Sequence, residues 1–158
     1  MIRRYTPKDR KKIKYLYRDA SFLEPTFSCY LDKHYEPFVY EEDRKILGVI
    51  MLQQDYLMLD IFNLYVDIDH RGRGIGRALL DFAEEYARKK KLHGVKLETS
   101  KDNKEAQKFY LKCGYQKVGE VKNYRVRNGT SIFFWKGSPE SDLFLSYYLK
   151  QDINHQLR

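Results

Sequence analysis

The residues best suited to chemistry form a glycine-rich segment, Arg71-Gly72-Arg73-Gly74-Ile75-Gly76. Alternating glycines let a backbone turn tightly and let a ligand approach the main chain closely. An amphipathic helix begins within this segment, and a helix start presents unpaired N–H groups and the positive end of its dipole. With the formal charges of Arg71, Arg73 and Arg77, the segment predicts a phosphate-binding site.

Two common phosphate loops do not fit this segment. The Walker pattern needs a Lys followed by Ser or Thr after its last glycine, and neither is present after Gly76. The dinucleotide fingerprint needs Gly-x-Gly-x-x-Gly, but Arg77 occupies the third place after Gly72 and Gly74. An ordinary strand-to-helix turn is the plain alternative.

The neighbouring elements would position this segment between a strand and a helix. The apolar run 56–67 predicts a central strand that is buried on both faces. Apolar residues then recur at helical spacing from Ile75 to Ala87. A strand over 95–99 follows. Asp102, with Glu105 three residues later, resembles a capping box for a second helix through Cys113.

The remaining chain predicts further short elements. Residues 2–5 form a strand, and Thr6 caps a helix that has Pro7 at its first position. Strands follow over 38–40 and 46–52, with turns at 41–43 and 53–55, and another strand over 115–121. Asn128-Gly129 predicts a hairpin between 124–127 and 130–133. A last strand covers 143–149, so the order predicts one mixed α/β domain over residues 1–158. Its C-terminal part is an extended hairpin and strand over 123–150 with a tail over 151–158.

Composition narrows the class of protein. The chain has 158 residues, of which 42% are hydrophobic and 15% aromatic, enough to bury a core and to exclude disorder. Two cysteines, Cys29 and Cys113, exclude a disulfide scaffold and favour a reducing compartment. No run reaches the roughly 18 apolar residues of a membrane helix, and the N-terminus does not resemble a secretory signal. We therefore expect a cytoplasmic protein with no membrane partner.

Charge is distributed in blocks of opposite sign. Residues 1–18 carry +7, residues 24–69 carry −7 and residues 88–122 carry +7, within a formal net charge of +8. A nucleic-acid binder usually keeps one continuous basic face, so this pattern disfavours nucleic acid. It suits one anionic and one cationic ligand, although chance clustering of solvated charges would give the same pattern.

Two motifs carry a resemblance to a known family. Arg71-x-x-Gly74-x-Gly76 after a strand is similar to the pyrophosphate loop of the GNAT superfamily, the acyl-CoA-dependent N-acyltransferases. The run Asn103-x-x-Ala106-x-x-Phe109-Tyr110-x-Lys112-x-Gly114-Tyr115 resembles a later helix of that family. The element order agrees over about residues 1–122. The resemblance implies an α/β (α+β) fold with a mixed, mostly antiparallel sheet of about seven strands and about four helices.

The resemblance also implies where the donor acetyl-CoA would bind. Loop 71–76, with Arg77, would hold the pyrophosphate. The strand through Tyr65-Val66-Asp67 would part from its neighbour and hold the pantetheine arm, with the N–H near Val66 facing the thioester oxygen. Asn103 would contact that arm, or would only cap its helix.

The implied reaction is direct transfer of an acetyl group to a primary amine in a ternary complex. Tyr110 would protonate the departing sulfur, unless it is only a core residue. An amine with a pKa of about 10.4 is mostly protonated at neutral pH, so a base is needed. The resemblance offers Asp60, eleven residues before Arg71. Asn63 could instead position the acceptor, and Glu98 is another candidate base. Neither cysteine is needed as a nucleophile.

Partners follow from the same reasoning. The acceptor would be a small-molecule or peptide amine, and the following acidic and aromatic residues could form its side of the site: Glu24, Asp32, Glu36, Glu41, Glu42, Phe22, Phe27 and Tyr30. The edge character of strand 143–149 would suit a homodimer. Asp67-x-Asp69-His70 is too short for a metal site, so none is expected. A CoA-sensing or nucleic-acid-binding module is the alternative function.

Overall fold

A computed structural model describes residues 1–18, 34–124 and 128–137. Seven strands, numbered β1 to β7 along the chain, form one sheet in the order β1-β2-β3-β4-β5-β7-β6. The strands are β1 Ile2–Arg4, β2 Glu36–Glu42, β3 Lys45–Asp55, β4 Met58–Val66, β5 Gly94–Ser100, β6 Gln116–Lys122 and β7 Thr130–Gly137. Every pair is antiparallel except β4 with β5. The mixed, mostly antiparallel sheet of seven strands is confirmed.

Three α-helices flank the sheet within the described residues, rather than the four expected: α1 Arg10–Leu16, α2 Ile75–Lys89 and α3 Lys104–Lys112. Single 3-10 turns precede α1, over Pro7–Asp9, and precede the glycine-rich segment, over Ile68–His70. The predicted strand 143–149 and tail 151–158 lie outside the described residues.

Several boundaries differ from the sequence prediction. β2 continues through Glu41 and Glu42 of the predicted turn at 41–43. β3 runs through the predicted turn at 53–55 and ends at Asp55, and the chain reverses at Tyr56, which has a φ of 52°. The cap of α3 is Asn103 and not Asp102, because the Asn103 side chain accepts a hydrogen bond from Ala106 N–H. β6 ends at Lys122 and pairs with β7, Asn123 Oδ1 accepts from Asn128 N–H, and Tyr124 is not in a strand. Residues 125–127 of the predicted hairpin lie outside the described residues.

The sheet buries a different core on each face. On one face, α2 and α3 pack over a large cluster that includes Ile50, Leu79 and Phe134. On the other face, α1 packs through Ile13 and Leu16 in a smaller cluster. Residues alternate between the two faces along each strand, so neighbours in β4 contribute to different clusters.

β4 and β5 separate after three residue pairs. Their pairing covers only Leu59–Ile61 opposite Val95–Leu97, although β4 continues to Val66 and β5 to Ser100. The register between β3 and β4 also shifts here, because Met51 pairs with Asn63 and Leu52 with Ile61. Phe62 is therefore an extra residue in β4, and such a bulge bends its strand. The bend coincides with the point at which β4 leaves β5.

The N-terminal strand is fixed to α1 by Asp9. Its carboxylate accepts from both terminal nitrogens of the Arg3 guanidinium, at 2.8 and 3.0 Å, and from Thr6 N–H at 2.8 Å. These bonds, above all the one from Arg3, lower the pKa of Asp9 to about 2, although burial opposes the shift. The side chain is almost fully buried, so solvent screens these interactions little.

We expect Asp9→Asn to lower the free energy of unfolding by about 2 kcal/mol at neutral pH. Because the folded pKa lies below the ordinary value, this stabilisation is present above about pH 4 and is lost as the pH falls toward 2. Urea unfolding of both proteins at pH 7 and pH 3 measures the difference. Asp43→Asn, in an exposed turn, is the matched control. An equal loss of unfolding free energy in Asp9→Asn at pH 7 and at pH 3 would contradict this account.

Candidate functional site

A cleft of about 780 Å³ lies at the end of β4, beyond the point at which β4 leaves β5. Residues of β4, the glycine-rich segment, the start of α2 and one face of α3 line it: Leu64, Tyr65, Val66, His70, Arg71, Gly72, Gly74, Ile75, Gly76, Arg77, Asn103, Glu105, Ala106, Phe109, Tyr110, Lys112 and Cys113. The two motifs, about thirty residues apart in sequence, therefore face one another across a single cavity.

The glycine-rich segment adopts backbone angles that favour glycine. Gly72 and Gly74 have φ values of 77° and 84°, and Gly74 is the cap of α2. The first helical hydrogen bond runs from Ala78 N–H to Gly74 O, at 2.9 Å. Backbone N–H groups before Ala78 have no carbonyl partner within the helix, so the helix start offers hydrogen-bond donors toward the cleft. The segment thus forms a glycine-bounded helix start at the cleft, and its role in anion binding stays a prediction.

Gly76 brings the two motifs into contact. A Cβ placed on Gly76 would lie 3.1 Å from Phe109 Cζ, which is tighter than ordinary side-chain packing. The first turn of α2 therefore rests directly on the Phe109 ring. Phe109 in turn packs beside Tyr110, with ring centroids 5.4 Å apart. The glycine-rich segment and Tyr110 are thus connected through the packing of the Phe109 ring.

The three arginines of the loop differ in where they point. Arg71 lines the cleft, where its Nε donates to Val66 O at 3.3 Å and its guanidinium lies over the Tyr65 ring. Arg73 turns away, pairs with Glu42 at 2.9 Å and does not line the cleft. Arg77 lines the cleft but pairs with Asp81 at 2.7 Å.

Asp67 is also placed away from the cleft. Its N–H donates to Leu47 O of β3, and its carboxylate lies 2.9 Å from Arg18 Nη2 and 2.8 Å from His70 Nδ1. Its backbone donor is therefore already used within the sheet. Among Tyr65, Val66 and Asp67, only the first two line the cavity.

Asn103 both caps α3 and lines the cleft. Its Oδ1 accepts from Ala106 N–H at 3.1 Å, so the capping role is real. The side-chain NH₂ group remains as a donor at the cleft wall. The two roles considered from the sequence are therefore compatible.

Tyr110 lies inside the cleft wall and is only 7% exposed. Its ring packs against those of Phe109, Tyr115 and Phe134, so it is a core residue as well as a cleft residue. Burial raises the pKa of Tyr110 to about 12. The phenol therefore keeps its proton throughout the neutral range.

The candidate bases occupy different positions relative to the cleft. Asp60 lies where β4 and β5 are still paired, opposite Lys96, whose Nζ is 4.0 Å from its Oδ2. Glu98 lies in β5 just past the separation and has a buried Oε2 atom. Asn63 accepts a hydrogen bond from the buried Tyr17 hydroxyl at 2.5 Å. Neither Asp60, Asn63 nor Glu98 is among the residues that line the cleft itself.

The predicted acidic side of the site is used within the protein. Glu36 interacts with Arg4, Tyr86 and Lys90, Glu41 with Arg3 and Lys12, and Glu42 with Arg73. These three carboxylates lie on β2 and stabilise its contacts with neighbouring elements. The other candidates fall outside the described residues: Phe22, Glu24, Phe27, Tyr30 and Asp32.

The basic segment 88–122 likewise contributes little to the cleft. Lys90 pairs with Glu36, and Lys101 and Lys117 both pair with Glu120. From this segment, Lys112 is the basic residue that lines the cavity. Most of the positive charge of this segment therefore lies outside the cavity.

Sequence reasoning missed several cleft residues. Ala106, Phe109 and Cys113 share the apolar face of α3 with Tyr110, so their helical spacing was the available signal. His70 also lines the cavity, and no spacing in the sequence indicates this. Among residues 1–18, 34–124 and 128–137, no group of three or more potential ligands could hold a metal ion. In the same part of the chain, no helix is long and apolar enough to cross a membrane.

Solved structures share this architecture. The ribosomal-protein-S18-alanine N-acetyltransferase from Escherichia coli superposes with a TM-score of 0.75 and 21% identity, over 87% of this chain and 93% of that one. An aminoglycoside 6′-N-acetyltransferase complexed with coenzyme A superposes with a TM-score of 0.71 and 17% identity, over 87% of this chain and 96% of that one. At these identities the likeness concerns the fold.

Sequence comparison extends the likeness. A streptothricin acetyltransferase from Escherichia coli is 31% identical over 107 residues, which are 63% of this chain and 62% of that protein, so the chain spans less than two thirds of this relative. The model of the acetyltransferase (GNAT) family matches residues 3–115 and includes both the glycine-rich loop and the Tyr110 helix. The chain therefore belongs to the GNAT acetyltransferase family.

Proposed function

We propose that this protein transfers an acetyl group from acetyl-CoA to a primary amine by direct attack within a ternary complex. The observation that carries the proposal is the cleft that the end of β4, the glycine-rich helix start of α2 and α3 enclose, with the buried Tyr110 in its wall. The donor supplies the activated thioester. The protein binds it, orients it and supplies donors for the charge that develops.

The glycine-rich loop would hold the pyrophosphate of the donor. Support comes from the left-handed Gly72 and Gly74, the helical dipole of α2 and the Arg71 guanidinium at the cleft. The pantetheine arm would contact Tyr65 and Val66 at the end of β4 and the Asn103 side chain. Arg77 would reach the phosphates by exchanging its surface partner Asp81, because such ion pairs are weak.

We expect Gly74→Glu to abolish measurable binding of acetyl-CoA. The change places a carboxylate at the anion site and forces a side chain into a left-handed conformation. Isothermal titration calorimetry with acetyl-CoA measures the loss. Gly119→Glu is the matched control, because Gly119 lies outside the cleft, has open space around its Cβ position and gains the same charge. Equal binding by Gly74→Glu and the native protein would refute the proposed cofactor site.

Tyr110 would act as a hydrogen-bond donor to the departing sulfur. Its pKa of about 12 lies above the roughly 8.5 of an ordinary thiol, so complete proton transfer to a thiolate would cost about 5 kcal/mol. A hydrogen bond that strengthens as charge builds on the sulfur needs no complete transfer. The raised pKa thus favours stabilisation of the leaving group over stoichiometric protonation.

We expect Tyr110→Phe to reduce kcat by ten- to a hundredfold while leaving the affinity for acetyl-CoA nearly unchanged. Because the pKa of Tyr110 is about 12, its ionisation should cause no loss of rate between pH 7 and pH 10. A thiol-release assay over that range measures both effects. Tyr115→Phe is the matched control, since Tyr115 is equally buried in the same aromatic group but does not line the cleft. Similar losses of kcat in both variants would indicate that Tyr110 contributes only through packing.

The base would be a carboxylate beside the strand junction, and we infer Glu98 rather than Asp60. Glu98 alternates with the core-facing Leu97, so it lies on the face opposite α2 and α3, past the separation from β4. Asp60 lies before the separation and beside the Lys96 ammonium, which stabilises its charged form and weakens it as a base. Asn63 would help to position the acceptor, held by Tyr17.

We expect Glu98→Gln to lower kcat at least a hundredfold and to remove the acidic limb of the pH–rate profile. Asp60→Asn should change kcat by less than about threefold, because its neighbour Lys96 keeps Asp55 as a partner. Rates with a panel of primary amines, measured from pH 6 to pH 9, compare the two. The opposite ranking would assign the proton-accepting role to Asp60.

The acceptor class is best described as a primary amine that approaches from the Glu98 face. Phe133 lies directly across from Glu98 in β7, and Tyr124 packs against Phe133 with ring centroids 5.0 Å apart. An acceptor with an apolar or aromatic group beside its amine suits this surface. A cytoplasmic location remains part of the proposal, as does a homodimer.

A further inference from the structure

One polar pair at the cleft has no part in the chemistry described above. Asp67 is 7% exposed, and its Oδ2 lies 2.8 Å from His70 Nδ1. Arg18 Nη2, at the end of α1, lies 2.9 Å from the other carboxylate oxygen. His70 lines the cleft immediately before Arg71 of the glycine-rich segment. A fixed imidazole therefore stands beside the anion-binding loop.

The partner of Nδ1 determines what the other ring nitrogen can do. An ionised carboxylate only accepts hydrogen bonds, so Nδ1 carries a hydrogen. Nε2 is then the nitrogen that can meet a ligand, and His70 has no hydrogen-bond partner besides Asp67 in the described part of the chain. In the neutral ring, Nε2 presents a lone pair that repels a phosphate oxygen. In the imidazolium, it presents an N–H that binds one.

We propose that His70 is an anion contact of the cofactor site and that binding of the CoA diphosphate is coupled to uptake of one proton at His70 Nε2. The proton comes from solvent. Its bond to Nε2 is the only bond that forms, and the covalent bonds of the ligand are unchanged. This inference rests on the proposed function, because it assumes that the glycine-rich loop holds the diphosphate. Asp67 acts as a positioning residue, since it fixes the ring and compensates the charge that the ring gains.

The charges around His70 are balanced before the ligand binds. Asp67 and Asp69 of the same turn, Arg18 just after α1 and the adjacent Arg71 lie in this region, so two carboxylates accompany two guanidinium groups. A diphosphate adds negative charge to this balanced group and favours the protonated ring. Histidine is the side chain that changes charge between about pH 5 and 8. Affinity for the diphosphate should therefore be highest at low pH and fall as the pH rises through that range.

Calorimetry with dephospho-CoA tests the coupling on the full chain. This probe keeps the diphosphate but lacks the 3′-phosphate, a monoester that itself titrates near pH 6. Titrations at pH 7.5 in two buffers with different ionisation enthalpies give the number of protons taken up. We expect uptake of a substantial fraction of one proton per site and an affinity about tenfold weaker at pH 8.5 than at pH 6.

His70→Gln is the decisive variant, because glutamine keeps a polar side chain at a half-buried position and cannot gain charge. We expect no proton uptake, little dependence on pH and weaker binding at pH 6. His93→Gln, at a histidine that does not line the cleft, is the matched control and should behave as the native protein.

Two outcomes would overturn the inference. Binding by the native protein without proton uptake, or uptake that persists in His70→Gln, would remove His70 from the diphosphate site while leaving the cofactor site intact. Absence of any binding of dephospho-CoA and CoA to the native protein would instead overturn the proposed function as a whole.

Discussion

β4 and β5 pair over only Leu59–Ile61 opposite Val95–Leu97, although both strands continue beyond these residues. Two parallel strands that stop pairing while both continue must direct their backbone groups toward another partner, because buried N–H and C=O groups left without one are costly. The bulge at Phe62 bends β4, and the cleft opens past Ile61. In the proposed function, a ligand that presents amides along an extended arm would supply such partners beside the end of β4.

The cleft keeps its shape because α2 and α3 are packed against one another and against the sheet with almost no spare space. A Cβ on Gly48 would lie 3.0 Å from Leu79 Cδ1, and one on Gly76 would lie 3.1 Å from Phe109 Cζ. These glycines permit close approach, whereas Gly72 and Gly74 permit left-handed turns. The anion-binding loop, the ring of Phe109 and the hydroxyl of Tyr110 therefore hold fixed relative positions, and such preorganisation is what transition-state stabilisation requires.

Local signals in the sequence predicted the elements better than the tertiary arrangement. The period of apolar residues located α2, and the glycine spacing located the anion loop, because both depend on neighbouring residues alone. The predicted cap at Asp102 is one residue early, because it is the Asn103 side chain that accepts the hydrogen bond from Ala106 N–H. Between β6 and β7, the Asn123 side chain accepts from Asn128 N–H, a contact that spacing alone does not reveal. No local pattern reveals that Asp67 turns from the cleft toward Arg18, or that His70 enters it. Those placements depend on residues almost fifty positions away.

The pairing of charged residues also depends on the tertiary arrangement and not on local sequence. It bears on how the proposed site would attract an anion. The N-terminal basic block and the acidic block of opposite sign meet one another in the folded protein, as in the pairs Arg3–Glu41, Arg4–Glu36 and Arg18–Asp67. Formal charge is therefore largely compensated before any ligand binds, and Arg73 and Arg77 carry carboxylate partners of their own. What remains at the cleft is a helix start with oriented N–H groups, Arg71, Lys112 and a histidine that can acquire charge. The proposed diphosphate would therefore meet oriented dipoles and a few charged side chains rather than a continuous basic surface.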